Sequence, residues 1–148
     1  MPLLNYTTKV PAEQSASEIV GVLATHRATA ILLNYEAGKV VGISFKIATA
    51  HGEQSYTMPV RAAAVEKVLL RQYAAKAITA SLATKAQAER VAWRIVLEWV
   101  KAQMALIETE MVALEQVFLP YMNVGGGTLY DRFLAMGTDH LLPAGKSL

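Results

Sequence analysis

The residues best equipped for chemistry are the basic side chains spaced through the middle of the chain, with aromatic residues among them. They are Lys46, Arg61, Arg71, Arg90, Arg94 and Lys101, beside Tyr35, Tyr56, Trp93 and Trp99. Cations that meet phosphates and rings that stack on bases are what single-stranded nucleic acid binding requires, at about 1–3 kcal/mol per stacked base. The charge distribution points the same way. Residues 1–60 are neutral in sum, while residues 61–101 carry eight bases against Glu66, Glu89 and Glu98. Residues 102–148 carry Arg132 and Lys146 against five acids, so a formal net charge of +2 conceals a basic middle and an acidic end. Lys46, Tyr56, Arg61, Arg71, Arg90, Arg94 and Lys101 are the predicted nucleic-acid contacts. Trp93 and Trp99 also suit a core or a subunit interface.

Other chemistries find less support. His26 falls on an apolar helix face, His51 in a turn and His140 in the tail, none at ligand spacing from a carboxylate or a second histidine. Aspartate occurs only at Asp131 and Asp139, and the glutamates lie mostly on helix surfaces. The converging carboxylates of a glycosidase or a metal-assisted hydrolase are not visible. Gly125-Gly126-Gly127 precedes a helix cap without an upstream strand, so it reads as a loop and not an anion cradle. Gly145-Lys146-Ser147 resembles the end of a phosphate-binding loop, but the leading glycine would fall at His140. No catalytic residue, metal or cofactor is expected.

The elements that position these residues follow from periodicity. Asn5 to Val10 reads as a short strand ended by Pro11, and Ala12 to Arg27 as a helix with Ile19, Val22, Leu23 and His26 on one face. Strands follow at Thr29–Tyr35, Lys39–Thr49 and Glu53–Met58, with turns at Ala37-Gly38 and His51-Gly52, and they look like a meander. In the second, Val41, Ile43, Phe45 and Ile47 point one way and Gly42, Ser44, Lys46 and Ala48 the other. That alternation predicts a sheet covered on one face by the first helix and accessible on the other. Val60 to Tyr73 returns to a helical pattern, and the alanine-rich stretch 74–83 suits a linker or a short helical turn.

One long helix is predicted from Thr84 to Phe118, with Gln87 completing a capping box and Pro120 stopping it. Its charges run against the macrodipole, bases first and acids last. Gln87, Arg94, Lys101, Glu108 and Glu115 recur every seven residues as a narrow polar stripe, and most other positions are apolar. A helix apolar around most of its circumference is buried. At about 50 Å for its 35 residues, it exceeds what one small domain covers. Trp99, Leu106, Met111, Leu114 and Phe118 are therefore the predicted homo-oligomer interface. Beyond Pro120 come a loop over 123–127, a short helix from Leu129 to Met136 capped by Thr128 and Asp131 and ended by Gly137, and a tail through Leu148.

The composition is 53% hydrophobic and 18% charged, in a chain of 148 residues that suits one domain. No apolar run is long enough for a membrane span and no signal-peptide pattern opens the chain, so the surplus is assigned to subunit contacts. The absence of cysteine excludes disulfides and thiolate metal sites, and a cytoplasmic location is expected.

The segments Leu4-Asn5-Tyr6-Thr7-Thr8-Lys9-Val10, Val91-Ala92-Trp93-Arg94-Ile95-Val96, Val117-Phe118-Leu119-Pro120-Tyr121 and Thr128-Leu129-Tyr130 resemble a group of small phage and prophage proteins over most of the chain. That resemblance implies a mobile-element context and supplies no catalytic residues. The expectation is a single α+β domain, β-α-β-β-β followed by helices. It would be a non-enzymatic homo-oligomer binding nucleic acid, with single-stranded DNA favoured. The alternatives are an oligomer that sequesters an anionic nucleotide, or a structural, partner-binding module.

Overall fold

A computed structural model describes residues 1–137. The order is α1 (Ala12–Ala24), β1 (Ala28–Glu36), β2 (Lys39–Thr49), β3 (Gly52–Thr57), α2 (Ala62–Ala74), α3 (Lys85–Glu108), α4 (Leu114–Phe118) and α5 (Leu129–Met136). Short 3-10 turns occupy Ala80–Leu82 and Leu119–Tyr121. The three strands form an antiparallel sheet in the order β1-β2-β3, so the fold is α+β and the meander is as expected. The predicted tail and His140 lie outside the described residues.

The strand expected at Asn5 to Val10 does not form. Asn5 takes a left-handed φ of 62°, and Tyr6 N and Thr8 N donate back to Leu3 O and Asn5 O, folding the segment into turns. Its outward carbonyls are claimed by a side chain and not by a strand. Gln87 Nε2 donates to Tyr6 O at 2.8 Å and to Thr8 O at 2.9 Å. The sheet therefore begins after α1.

Alternation on β2 is broken once. Gly42 pairs with Asn34 and Val40 with Tyr35, leaving Val41 as an extra residue without a partner. This bulge reverses the phase, so Val40 is buried and Val41 exposed, while Ile43, Phe45 and Ile47 keep the inner face. That face, with Tyr56 of β3, packs against Ala16, Ile19 and Leu23 of α1 and against Trp93, Val96, Leu97, Val100 and Met104 of α3. A smaller core of Leu69, Ile78 and Ala88, joined by Leu3 and Tyr6, seats α2 on the start of α3.

The predicted 35-residue helix is in fact two. α3 stops at Glu108 after 24 residues, because Glu110 turns left-handed at φ 61°. Glu110 N donates to Ile107 O and Met111 N to Leu106 O, each at 3.0 Å. These two bonds close a Schellman motif with glutamate where glycine is usual. The left-handed conformation costs a non-glycine residue about 1–2 kcal/mol. Glu110→Gly is therefore expected to raise stability by roughly 0.5–1 kcal/mol net of glycine's extra unfolded-state freedom, read in a urea titration.

α3 is buried around its circumference as expected, but its own chain supplies the cover. From Gln87 to Val100 no residue is exposed. The α1 and α2 helices both pack on it, with the sheet face completing the core. Leu114 and Phe118 are likewise buried within the protomer, which removes them from the predicted oligomer interface. Trp99 is half-buried, edge-on to Phe118 at 5.7 Å. Leu106 is half-buried too, and Met111 alone of the five stands clear at 65% exposed.

The charges of α3 and α4 tie these helices to α1, to the turn after it and to β2. Arg94 Nη1 meets Glu18 Oε2 at 3.1 Å, Arg27 meets Glu115 at 2.9 Å, and Lys39 meets Glu89 at 3.6 Å. His26, which no sequence spacing linked to an acid, has Nε2 2.6 Å from Glu108 Oε1 and Nδ1 2.6 Å from Val22 O. Both partners accept, so the doubly protonated ring satisfies them together. The hydrogen bond to Glu108, then that to Val22, raises the His26 pKa above 6.5. This contribution is full below the unfolded value and fades as pH climbs through the raised folded one. Unfolding of the wild type against His26→Gln should show a stability gap that is widest below about pH 6.5 and narrows above it.

Candidate nucleic-acid interface

The seven predicted contacts fall into three groups. Tyr56 is 1% exposed, stacked on Phe45 at 5.3 Å and edge-on to Phe118 at 6.3 Å, and burial pushes its phenol pKa up. No base can reach that ring, so Tyr56 is corrected from contact to core. Trp93, 1% exposed, is core as well.

Arg90 and Arg94 are committed internally. Arg90 Nε and Nη2 both donate to Gln87 Oε1, at 2.9 and 2.7 Å, and Arg94 holds Glu18. The basic first half of α3 thus anchors the N-terminal segment and α1.

Lys46, Arg61, Arg71 and Lys101 are exposed, and none of them makes an ion pair among the described residues. Lys46 stands on the outer sheet face, in register between Ala30 and Ser55. Its surroundings are a hydroxyl and amide row. Ser44 Oγ lies 3.0 Å from Thr57 Oγ1, Thr57 Oγ1 donates to Asn123 Oδ1 at 3.0 Å, and Asn123 Nδ2 donates to Ser55 Oγ at 2.9 Å. This network pins residues 122–123 beside β3, where Tyr56 and Met122 form a bridge. Arg61 is the N-cap residue of α2, and Arg71 is in its last turn.

Five of the exposed bases without an ion pair among the described residues fall on or beside α2. Residues 61–85 contain Arg61, Lys67, Arg71, Lys76 and Lys85 against Glu66 alone. All five bases are exposed, and none is ion-paired among the described residues. Lys67 and Arg71, four apart, share a helix face. Opposite them Val65, Leu69 and Gln72 turn inward, and exposed Tyr73 follows in the last turn. Lys67, Tyr73, Lys76 and Lys85 were not singled out from the sequence. The i, i+4 pair of bases on an otherwise alanine-rich helix was the signal available.

At the start of α2 the chain leaves a cleft of about 450 Å³ between the end of β3 and segment 121–131, with Arg61, Tyr121, Tyr130 and Asp131 in its lining. Tyr121 is held edge-on to Trp99 at 5.6 Å. Asp131 Oδ2 accepts from Thr128 N at 2.9 Å and from Thr128 Oγ1 at 3.0 Å, closing the predicted cap of α5. These bonds, Thr128 N first, and the nearby Arg61 charge hold the Asp131 carboxyl below the usual aspartate value. A second groove of about 460 Å³, lined by Leu119, Pro120, Leu129, Tyr130, Phe133 and Met136, is almost wholly apolar.

Among the described residues no three His, Asp or Glu side chains gather in a group that could hold a metal, and no helix is long and apolar enough to cross a membrane. No protein-family model, no curated protein and no solved structure matches this chain.

Proposed function

We propose that the protein binds nucleic acid, single strands above all, through the basic surface of α2 and not through the buried rings of the sheet. The observation that carries this is the set of five exposed cations from Arg61 to Lys85 that make no ion pair among the described residues, while the two arginines of α3 are bonded internally. Alanines on the solvent side of α2 let a phosphate backbone approach closely, and Tyr73 offers one ring for stacking. Binding is mainly electrostatic and falls with salt, with a slope of about −0.7 per phosphate contact on single strands.

The test is fluorescence anisotropy with a labelled oligodeoxynucleotide at two salt concentrations. Exchanging Lys67, Arg71 and Lys76 together for alanine is expected to weaken binding about tenfold or more at low salt, and to flatten the salt slope by about 2. Unchanged affinity in the folded triple variant would sink the proposal. Double-stranded DNA in the same assay decides the preference for single strands.

A second reading, self-association, has an observation of its own. Leu119, Tyr130, Phe133 and Met136, all in the lining of the apolar groove, are 36–51% exposed, apolar surface of the kind that marks an interaction site. Light scattering at twice the chain mass, reduced to one chain by Phe133→Glu, would support it.

A further inference from the structure

We infer that the cleft at the start of α2 is a nucleobase pocket, taking one unpaired base of the strand whose phosphates lie along α2. This inference rests on the proposed nucleic-acid function and names what its first site recognises. Four features of the cleft carry it.

Its volume of about 450 Å³ lies within the range of small-molecule sites and admits a single nucleotide. Two rings line it. Tyr121 is held edge-on to Trp99, and Tyr130, 51% exposed, is stacked on Phe133 with ring centroids 6.4 Å apart, which leaves its other face for a base. The third feature is Arg61, which begins α2 and makes no ion pair among the described residues. A nucleotide seated between the tyrosines would place its phosphate toward Arg61, and Lys67 and Arg71 lie further along the same helix. The fourth is the carboxylate of Asp131. Both of its bonds to Thr128 use Oδ2, leaving Oδ1 as an acceptor for a base amino group. Thr57 and Asn123, the other polar side chains of the rim, are bonded to each other, so they do not compete for the base. Asp131 is an exposed residue of the lining, and its negative charge disfavours a phosphate beside it, which assigns the base to the Asp131 side of the cleft and the phosphate to Arg61.

The pocket is tested with two labelled strands of equal length and charge, an oligodeoxyadenylate and its abasic counterpart, against the full chain. The adenylate strand should bind about tenfold tighter, the gain of one stacked base. With Tyr73→Ala in place to remove the ring on α2, Tyr130→Ala should bring it down to the abasic level, while Tyr130→Phe, which keeps the ring, should retain the preference. Because the Tyr130 side chain is exposed, these variants spare the core, and far-ultraviolet circular dichroism checks that they stay folded. Equal binding of the two strands by the wild type overturns the pocket, as does a preference that survives Tyr130→Ala in the Tyr73→Ala background. The α2 reading fails separately, when abasic-strand binding persists undiminished in the Lys67, Arg71 and Lys76 variant. Binding of neither strand overturns both.

Discussion

Phe118→Ala is expected to cost about 3–5 kcal/mol of folding stability. The ring is 0% exposed and stands at the centre of an aromatic cluster, edge-on to Phe45 at 5.3 Å and within contact of Tyr56 and Trp99. Truncation removes the transfer energy of a whole phenyl group. It also leaves a cavity that α4, with only five residues, is poorly placed to collapse into. For a domain of ordinary stability, about 5–15 kcal/mol, this is a fifth or more of the total. A urea titration should show a much lower midpoint with little change in slope. It should be independent of protein concentration, because the ring is buried within one protomer. A loss that vanished on raising the concentration would return Phe118 to a subunit interface. Met111→Ala is the matched control: at 65% exposure, it should move stability by no more than about 0.5 kcal/mol.

The second large effect is at Gln87. Its side chain is 3% exposed, and every polar atom in it is used. Nε2 donates to Tyr6 O and Thr8 O, and Oε1 accepts from both Arg90 nitrogens. Gln87→Ala leaves two carbonyls and a guanidinium without partners in a half-buried setting, at about 1–3 kcal/mol for stranded groups. The loss is local before it is global. Residues 1–10 have no strand to hold them, so they should become cleavable by protease while the sheet and α3 stay protected. Intact protease resistance at the N-terminus of the variant would show that the segment is held mainly by Leu3 and Tyr6 in the small core instead.

Much of the fold was legible because its signals are local. The β2 bounds, the meander and the capped α5 follow from alternation, from turn residues and from the Thr128–Asp131 pair. The misses came where a side chain overrode the local pattern. The Asn5 to Val10 segment has a strand's composition, but Gln87, far along the chain, captures its carbonyls. Thr109 to Ala113 contains no glycine or proline, so nothing in that stretch marks the left-handed turn at Glu110 that ends α3. The bulge at Val41 is equally silent, since both Val40 and Val41 suit a buried face. For the candidate site, the concentration of cations in the middle of the chain is plain in the sequence. Which of them were free could not be read there, because Glu18 and Gln87 are distant in sequence from, or hidden beneath, the arginines they occupy. Tyr56 shows the same limit: a ring's face is fixed by the register of its strand, but its accessibility depends on α4, sixty residues later.

The completeness of the cover around α3 bears on synthesis. Its surface is closed by Leu3 and Tyr6 from one end of the chain and by Leu114 and Phe118 from the other. As the chain emerges from the ribosome, α1 and the sheet can pair early, since their contacts are close in sequence. When α3 follows, Trp93, Val96 and Val100 can dock on that preformed face, and what stays open until α4 is made is the aromatic end of the core, Phe45 and Tyr56 of the sheet with Trp99 of α3. During that interval the rings that Phe118 covers stand in water, exposed apolar surface of the kind that makes an incomplete chain prone to aggregate. A pause in translation lengthens the exposure until residues 114–121 have been made and have left the ribosome.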